Sequence, residues 1–199
     1  MRFSPICTQQ DAARLRDQPS IAVDVGFAKA GRKTCGVAAT GSLGQKLSHT
    51  ECLDHLVGWM STKESAVLIL EAPLSLAFAN GNPSPRDNFE RLKKEGKSMT
   101  RYWYSGPGAA VALGASNILR HLAMKLNNRD LAIHLAEGFV SFGSDWDHHE
   151  VAQALHDSFS GSRPCQWHTI TEGDYTQSLL DFLAIPSPPG APGILIPAN

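Results

Sequence analysis

The chain has few cysteines, no long apolar run and almost no net charge, and each shortage excludes a class of protein. Its four cysteines, Cys7, Cys35, Cys52 and Cys165, are scattered and form no CxxC pair. They read as reduced, space-filling thiols of a cytosolic protein. No apolar stretch approaches the roughly 20 residues of a membrane span. The first residues, MRFSPICTQQDAARLRDQ, lack the apolar core of a secretion signal. The expectation is a cytoplasmic protein with no membrane partner. A formal net charge of -1 and a pI near 6.7 supply no global basic field. Nucleic-acid binding would therefore need a local patch. There is no internal repeat.

What is present suffices for one good core. The chain has 199 residues, 42% of them hydrophobic, which predicts a single domain spanning 1–199 with room for an insertion. Residues 1–19 are polar and read as a loose or edge-capping segment. IAVDVGF (21–27) is a strand, and CGVAAT pairs with it as a hairpin across the AKAGRKT turn. QKLSH is a weaker third strand. Leu53, Leu56, Val57 and Met60 recur at helical spacing. AVLILEAPL is a near-continuous apolar run, the pattern of a strand buried on both faces. A helix follows from Pro107 to about Asn127, then a strand in LAIHLAEGFVSF, a helix in HHEVAQALHDSF and a short helix in TQSLLDFLAI. The alternation predicts an α/β fold with a mixed sheet of five strands, the early ones antiparallel and the later ones parallel. The expected core covers about 20–185, with 76–106 as an inserted loop and 186–199 as a flexible Pro-rich tail.

Four carboxylates stand out. Asp24 lies inside one apolar run and Glu71 closes another. Asp147 and Glu150 lie three apart at a helix start. A carboxylate in an apolar strand is costly to bury unless it is paired, hydrogen-bonded or metal-bound. Convergence of the four would make a two-metal site. Two Mg²⁺ or Mn²⁺ ions roughly 4 Å apart activate a water and neutralise a leaving oxygen in phosphodiester hydrolysis. Simpler readings stand beside this one. Asp24 can cap a turn, and Glu71 can mark a strand end that reaches solvent. Asp147 is a natural N-cap, and Glu150 suits the first turn of any helix.

IAVDVGFAKAGRKTCGVA, LILEAPLSL, and AEGFVSF followed by DHHEVAQAL resemble, in that order, the core of the RNase H-like superfamily. Within it the chain looks most like the uncharacterised family of predicted RNase H-like nucleases. It is similar more distantly to Holliday-junction resolvases. The resemblance covers about residues 20–160. It implies a metal-dependent nuclease whose first-strand acid is Asp24 and whose central-strand acid, just before Ala-Pro, is Glu71. It puts Glu150 in the last helix with Asp147 three residues before it. Glu stands at 71 and 150 where the family more often has Asp, and Val151 follows where it has Ala. The resolvase likeness implies a homodimer, although no dimer surface is legible in the residues. Two alternatives share the opening hairpin or the fold: a nucleotide-binding phosphotransferase of the actin and sugar-kinase type, and a non-catalytic RNase H-like scaffold or binding module.

Further candidates are accessory. Glu137, late in a strand, is a candidate for the same cleft. His148 and His149 flank the acidic pair and are candidates to orient a water or act as a base. With His156 they match no standard zinc spacing. The 76–106 segment is locally basic, with Arg86, Arg91, Lys93, Lys94, Lys97 and Arg101 against Asp87, Glu90 and Glu95. Arg86, Arg91, Lys93, Lys94 and Arg101 are candidates to hold a phosphate backbone. Tyr102, Trp103 and Tyr104 are candidates to stack on bases. The alternative is a solvated charged helix whose aromatics anchor it to the core.

Overall fold

The computed structural model describes residues 1–26, 31–86, 103–140, 146–170 and 176–198. The chain opens with strand β1 (Arg2–Pro5) and a short helix α1 (Gln9–Arg14). Strands β2 (Ser20–Asp24), β3 (Cys35–Ala39) and β4 (Ser42–Leu47) follow, then helix α2 (His49–Met60) and strand β5 (Ser65–Glu71). Helix α2 begins at a capping box. The Ser48 hydroxyl accepts the Glu51 N–H at 3.3 Å, and Glu51 accepts the Ser48 N–H at 2.7 Å. Two short strands, β6 (Ser75–Ala79) and β7 (Asn82–Pro83), precede the long helix α3 (Gly106–Lys125). Strand β8 (Ala132–Gly138), helix α4 (His148–Ser160) and strand β9 (Cys165–His168) come next. Strand β10 (Thr176–Ser178), helix α5 (Leu179–Phe182) and strand β11 (Ile194–Pro197) complete the described elements.

The fold is α/β, with a mixed sheet flanked by helices. Its strand order is β4-β3-β2-β5-β8-β11-β9, and β1 also pairs with β8. The β2–β3 and β3–β4 pairs are antiparallel, whereas β2–β5 and β5–β8 are parallel. Strand β5 reads as an unbroken apolar run because it has a neighbour on each side and helices over both faces.

Among the described residues the sheet has eight strands where five were expected: β1 and β11 come from the two ends of the sequence, and β9 follows α4. Residues 2–5 pair with Ala132–Leu135, burying Phe3. The stretch expected as a flexible tail ends in β11, which pairs with Glu137 and Gly138 of β8 and antiparallel with β9. Since β5 occupies one edge of β8, β1 and β11 share the other, end to end. The Gly193 N–H donates to the Ile6 carbonyl at 2.8 Å where they meet. Each is too short to announce itself by pattern; the open edge of β8 orders them by taking up their backbone groups. The helix expected over 176–185 divides in the same way, because Thr176–Ser178 pair with β6 and only Leu179–Phe182 are helical.

Strand pleating sorts the core into two layers. On one face, Ile21, Val23, Leu68, Leu70, Ile133 and Leu135 pack against α2 and α3. On the other, Ala22, Val67, Ile69 and Ala136 pack against Val151, Leu155 and Phe159 of α4. Among the described residues no helix is long and apolar enough to cross a membrane.

Candidate functional site

The same alternation aims the acids. Asp24 follows Ala22 by two and Glu71 follows Ile69 by two, so both point to the α4 face. They are also register partners in the parallel β2–β5 pair. Two carboxylates therefore stand side by side at the carboxyl ends of adjacent parallel strands, where open α/β sheets bind ligands. Asp24 is 8% exposed and Glu71 is half-buried. Glu71 Oε1 accepts the Val140 N–H at 3.3 Å, which ties it to the end of β8.

Helix α4 brings the third group. His148 Nδ1 lies 2.6 Å from Asp24 Oδ2. Close packing of the helix start on the sheet makes this contact. A Cβ on Gly36, the register partner of Asp24, would lie 1.8 Å from the His148 carbonyl oxygen. Only glycine lets the first turn of α4 sit this low on β3. The hydrogen bond to Asp24 raises the pKa of His148 above the ordinary range, against the opposing effect of burial. His148 Nδ1 is therefore placed to donate to the Asp24 carboxylate in a partly buried contact.

Asp147 and Glu150 do not join this pair. Asp147 is the N-cap of α4, and its Oδ1 accepts the His148 N–H at 2.8 Å. Glu150 completes the capping box by accepting the Asp147 N–H at 2.7 Å. Asp147 also forms an ion pair with Lys46, which holds its carboxyl below the usual range. His149 Nδ1 is 3.7 Å from the same carboxylate. Glu150 is exposed and, with His149, lines an open cleft of about 600 Å³ beside Gly44 and Trp146. Helix capping accounts for the acidic pair, and the expected four-carboxylate cluster reduces to Asp24 and Glu71. Among the described residues no three His, Cys, Asp or Glu side chains are grouped so as to hold an ion.

Glu137 and Arg86 correct two further expectations together. Glu137 shares its strand face with Ile133 and Leu135, on the side away from Asp24 and Glu71. Its carboxylate takes two bonds from Arg86, at 2.5 and 2.9 Å, and one from the Leu74 N–H at 2.8 Å. Both side chains are 0% exposed. Arg86 therefore has no exposed surface to offer a phosphate backbone. The sequence held a signal for this: an acid in an apolar strand needs a counter-charge, but nothing local said that it would come from a basic loop.

Trp103 also faces inward. Its indole N–H donates to the Ser84 carbonyl at 2.9 Å, and its ring meets Phe78 and Tyr104 edge-on at 5.2 and 5.5 Å. That contact matches the anchoring alternative. Arg91, Lys93, Lys94, Arg101 and Tyr102 lie outside the described residues.

One cluster had no counterpart in the sequence reading. Cys35 Sγ lies 3.9 Å from His49 Nδ1, and His49 Nε2 lies 2.9 Å from Asn117 Oδ1. The three come from β3, α2 and α3, so no local motif marks them. Hydrogen bonds from the Cys52 thiol and from His49 lower the pKa of Cys35, while burial opposes them. The pKa of His49 rises in response.

No protein-family model, no curated protein and no solved structure matches this chain.

Proposed function

We propose that the chain is a divalent-metal-dependent phosphodiesterase of RNase H-like architecture, acting on nucleic acid, with Asp24 and Glu71 as its ligands. The observation that carries this proposal is the pairing of the two carboxylates, in register and on one face, at the carboxyl ends of β2 and β5. The run β4-β3-β2-β5-β8, with two antiparallel pairings and then two parallel ones, supports the RNase H-like assignment. The remaining strands extend the sheet beyond that core.

The donor set suits one hard cation. Mg²⁺ and Mn²⁺ bind through one or two carboxylates, keep several waters and take further oxygens from substrate phosphate. Asp24 and Glu71 would hold the ion, which supplies charge neutralisation and an acidified water. The side chains contribute rigidity. Asp24 is fixed by two strand neighbours and by His148, and Glu71 by the Val140 N–H. His148 Nδ1 faces Asp24 at 2.6 Å, and that contact raises the pKa of the imidazole. Asp147 and Glu150 have no part in the proposed site.

The test is cleavage of branched and other structured nucleic acids by the full chain in Mn²⁺. Asp24→Asn and Glu71→Gln should each lower the rate by roughly a hundredfold or more. Glu150→Gln should stay within a few-fold of the parent. Unchanged cleavage in the first two variants would overturn the proposal. The second reading is a non-catalytic RNase H-like binding module. What favours it is that the described residues bring no third ligand to Asp24 and Glu71. A folded chain that binds nucleic acid but neither binds Mn²⁺ nor cleaves would decide for it.

A further inference from the structure

The cleft outside α4 holds an arginine whose donors are set out for a ligand. Gly161, at φ 84°, ends α4 in the left-handed conformation. The chain then turns back, and the Arg163 N–H donates to the Asp157 carbonyl at 3.0 Å. The Arg163 guanidinium lies 4.6 Å from the centroid of the Trp146 ring, which comes from just before the opposite end of the helix. Trp146 packs against the core layer that α4 covers, so the cation–π stack has a fixed base. The Arg163 Nε–H donates to the Ala198 carbonyl at 2.9 Å. Stack and hydrogen bond together set the plane of the guanidinium. Its two terminal nitrogens have no hydrogen-bond or ion-pair partner among the described residues. A half-buried guanidinium held in one plane with an open fork suits a phosphate, which takes two parallel N–H bonds.

The rest of the cleft decides what else the ligand carries. Glu150 is committed to the capping box and Asp147 to Lys46. Asp157 Oδ1 accepts from Gln153 at 2.8 Å, and Gln153 in turn accepts the Gly44 N–H at 2.8 Å, which fixes this wall of the cleft against β4. Asp157 Oδ2 has no partner among the described residues and remains an acceptor. The His149 ring is 42% exposed and Leu43 is 84% exposed, so the same cleft also offers a π face and an apolar surface. Inorganic phosphate would leave all of these unused. A nucleotide matches each of them, and a cleft of about 600 Å³ has room for one. We infer that this cleft binds one nucleotide unit. Its phosphate lies on Arg163, a sugar hydroxyl or base amine donates to Asp157, and the base rests against His149 and Leu43. His149 follows His148, whose ring touches Asp24, so the cleft begins beside the proposed cation site. The nucleotide is then the one next to the scissile phosphate of the substrate strand. That choice of source rests on the nuclease reading; a free nucleotide offers the same chemistry to the same groups.

The test is calorimetric titration of the full chain, in EDTA, with adenosine and guanosine 5′-monophosphates, inorganic phosphate and a short single-stranded oligonucleotide. Nucleotide or strand should bind, and inorganic phosphate should bind at least roughly tenfold more weakly, for want of the contacts to Asp157 and His149. Arg163→Gln should weaken nucleotide binding by roughly tenfold or more. It should also flatten the salt dependence of strand binding by about 0.7 in slope, the share of one phosphate contact. Arg2→Gln, at an exposed arginine of β1, should change neither. In the parent chain, NMR shifts on adding nucleotide should centre on the Trp146 indole N–H and the His149 ring, a readout that needs no variant to fold. Tighter binding of the strand than of either mononucleotide identifies the occupant as substrate strand, and equal binding identifies a free nucleotide; both outcomes sustain the site. Inorganic phosphate binding as tightly as nucleotide, no nucleotide binding, or shifts centred elsewhere would refute the inference. So would equal weakening in Arg163→Gln and Arg2→Gln. Because EDTA removes the metal, failure to cleave in Mn²⁺ leaves a positive result standing. A chain that cleaves but has no Arg163-dependent nucleotide binding refutes this inference alone.

Discussion

Gly36→Ala tests the packing that builds the candidate site. A Cβ at position 36 would lie 1.8 Å from the His148 carbonyl oxygen and 2.9 Å from the His149 nitrogen. Ordinary heavy-atom contact begins near 3.5 Å, so the helix start must withdraw by roughly 1.7 Å. The obstructing atoms are backbone, so no side-chain rotation relieves the clash. The contact of 2.6 Å between His148 and Asp24 cannot survive such a shift. Overpacking of this kind costs about 1–3 kcal/mol. Loss of the His148–Asp24 pair, which is partly exposed, adds up to about 1 kcal/mol. Urea unfolding followed by far-UV circular dichroism measures the cost. NMR titration of the His148 ring measures the geometry. In the parent the ring should titrate above the ordinary histidine range, and in Gly36→Ala it should fall back toward about 6.5. Gly44→Ala, whose Cβ would meet the His149 carbonyl at 2.5 Å, should behave similarly but more mildly. Gly58→Ala, on an exposed turn of α2 with nothing within 4 Å, should gain up to about 1 kcal/mol. If Gly36→Ala matched Gly58→Ala in stability and left the His148 titration unchanged, close approach of α4 to β3 would not be what positions His148.

Two further outcomes follow from the charges. Arg86→Ala leaves Glu137 buried without its counter-charge and should cost about 3–5 kcal/mol in chemical denaturation. Adding Glu137→Gln should recover part of that loss, because the neutral amide oxygen still accepts from Leu74; a double variant no more stable than Arg86→Ala would contradict an uncompensated charge as the cause. The raised pKa of His148 makes its pair with Asp24 worth most below the unfolded histidine pKa of about 6.5, and that stability should disappear as pH rises through the folded value. His148→Asn keeps a donor and loses the charge, so its stability deficit, screened at this exposure to below about 1 kcal/mol, should be larger at pH 6 than at pH 9; a deficit independent of pH would refute the charged pair.

The central strands, the main helices and the placement of Asp24 and Glu71 at the ends of apolar strands were legible along the chain. Apolar period, the Ser48 and Asp147 caps and the cost of a buried carboxylate are local properties, and short windows of sequence record them. The two ends misled for the opposite reason. The residues of β1 and β11 are too few to carry a period, and they become strands because β8 has an unfilled edge. Glu137 and Arg86 are 51 residues apart, and nothing near either names the other. Asp147 and Glu150 carried both readings, capping and ligation. The hydrogen bonds at the start of α4 account for the first.

By itself the sequence determined an α/β chain with acids at the ends of two apolar strands. Side-chain alternation and burial cost are properties of a strand wherever it lies. Only the tertiary structure decided which acids share a face. That depends on register between strands, on how closely α4 approaches a glycine in β3, and on which distant cation neutralises which carboxylate. It brought Asp24 and Glu71 together with His148, turned Glu137 to the other side with Arg86, and assembled Cys35, His49 and Asn117 from three separate elements.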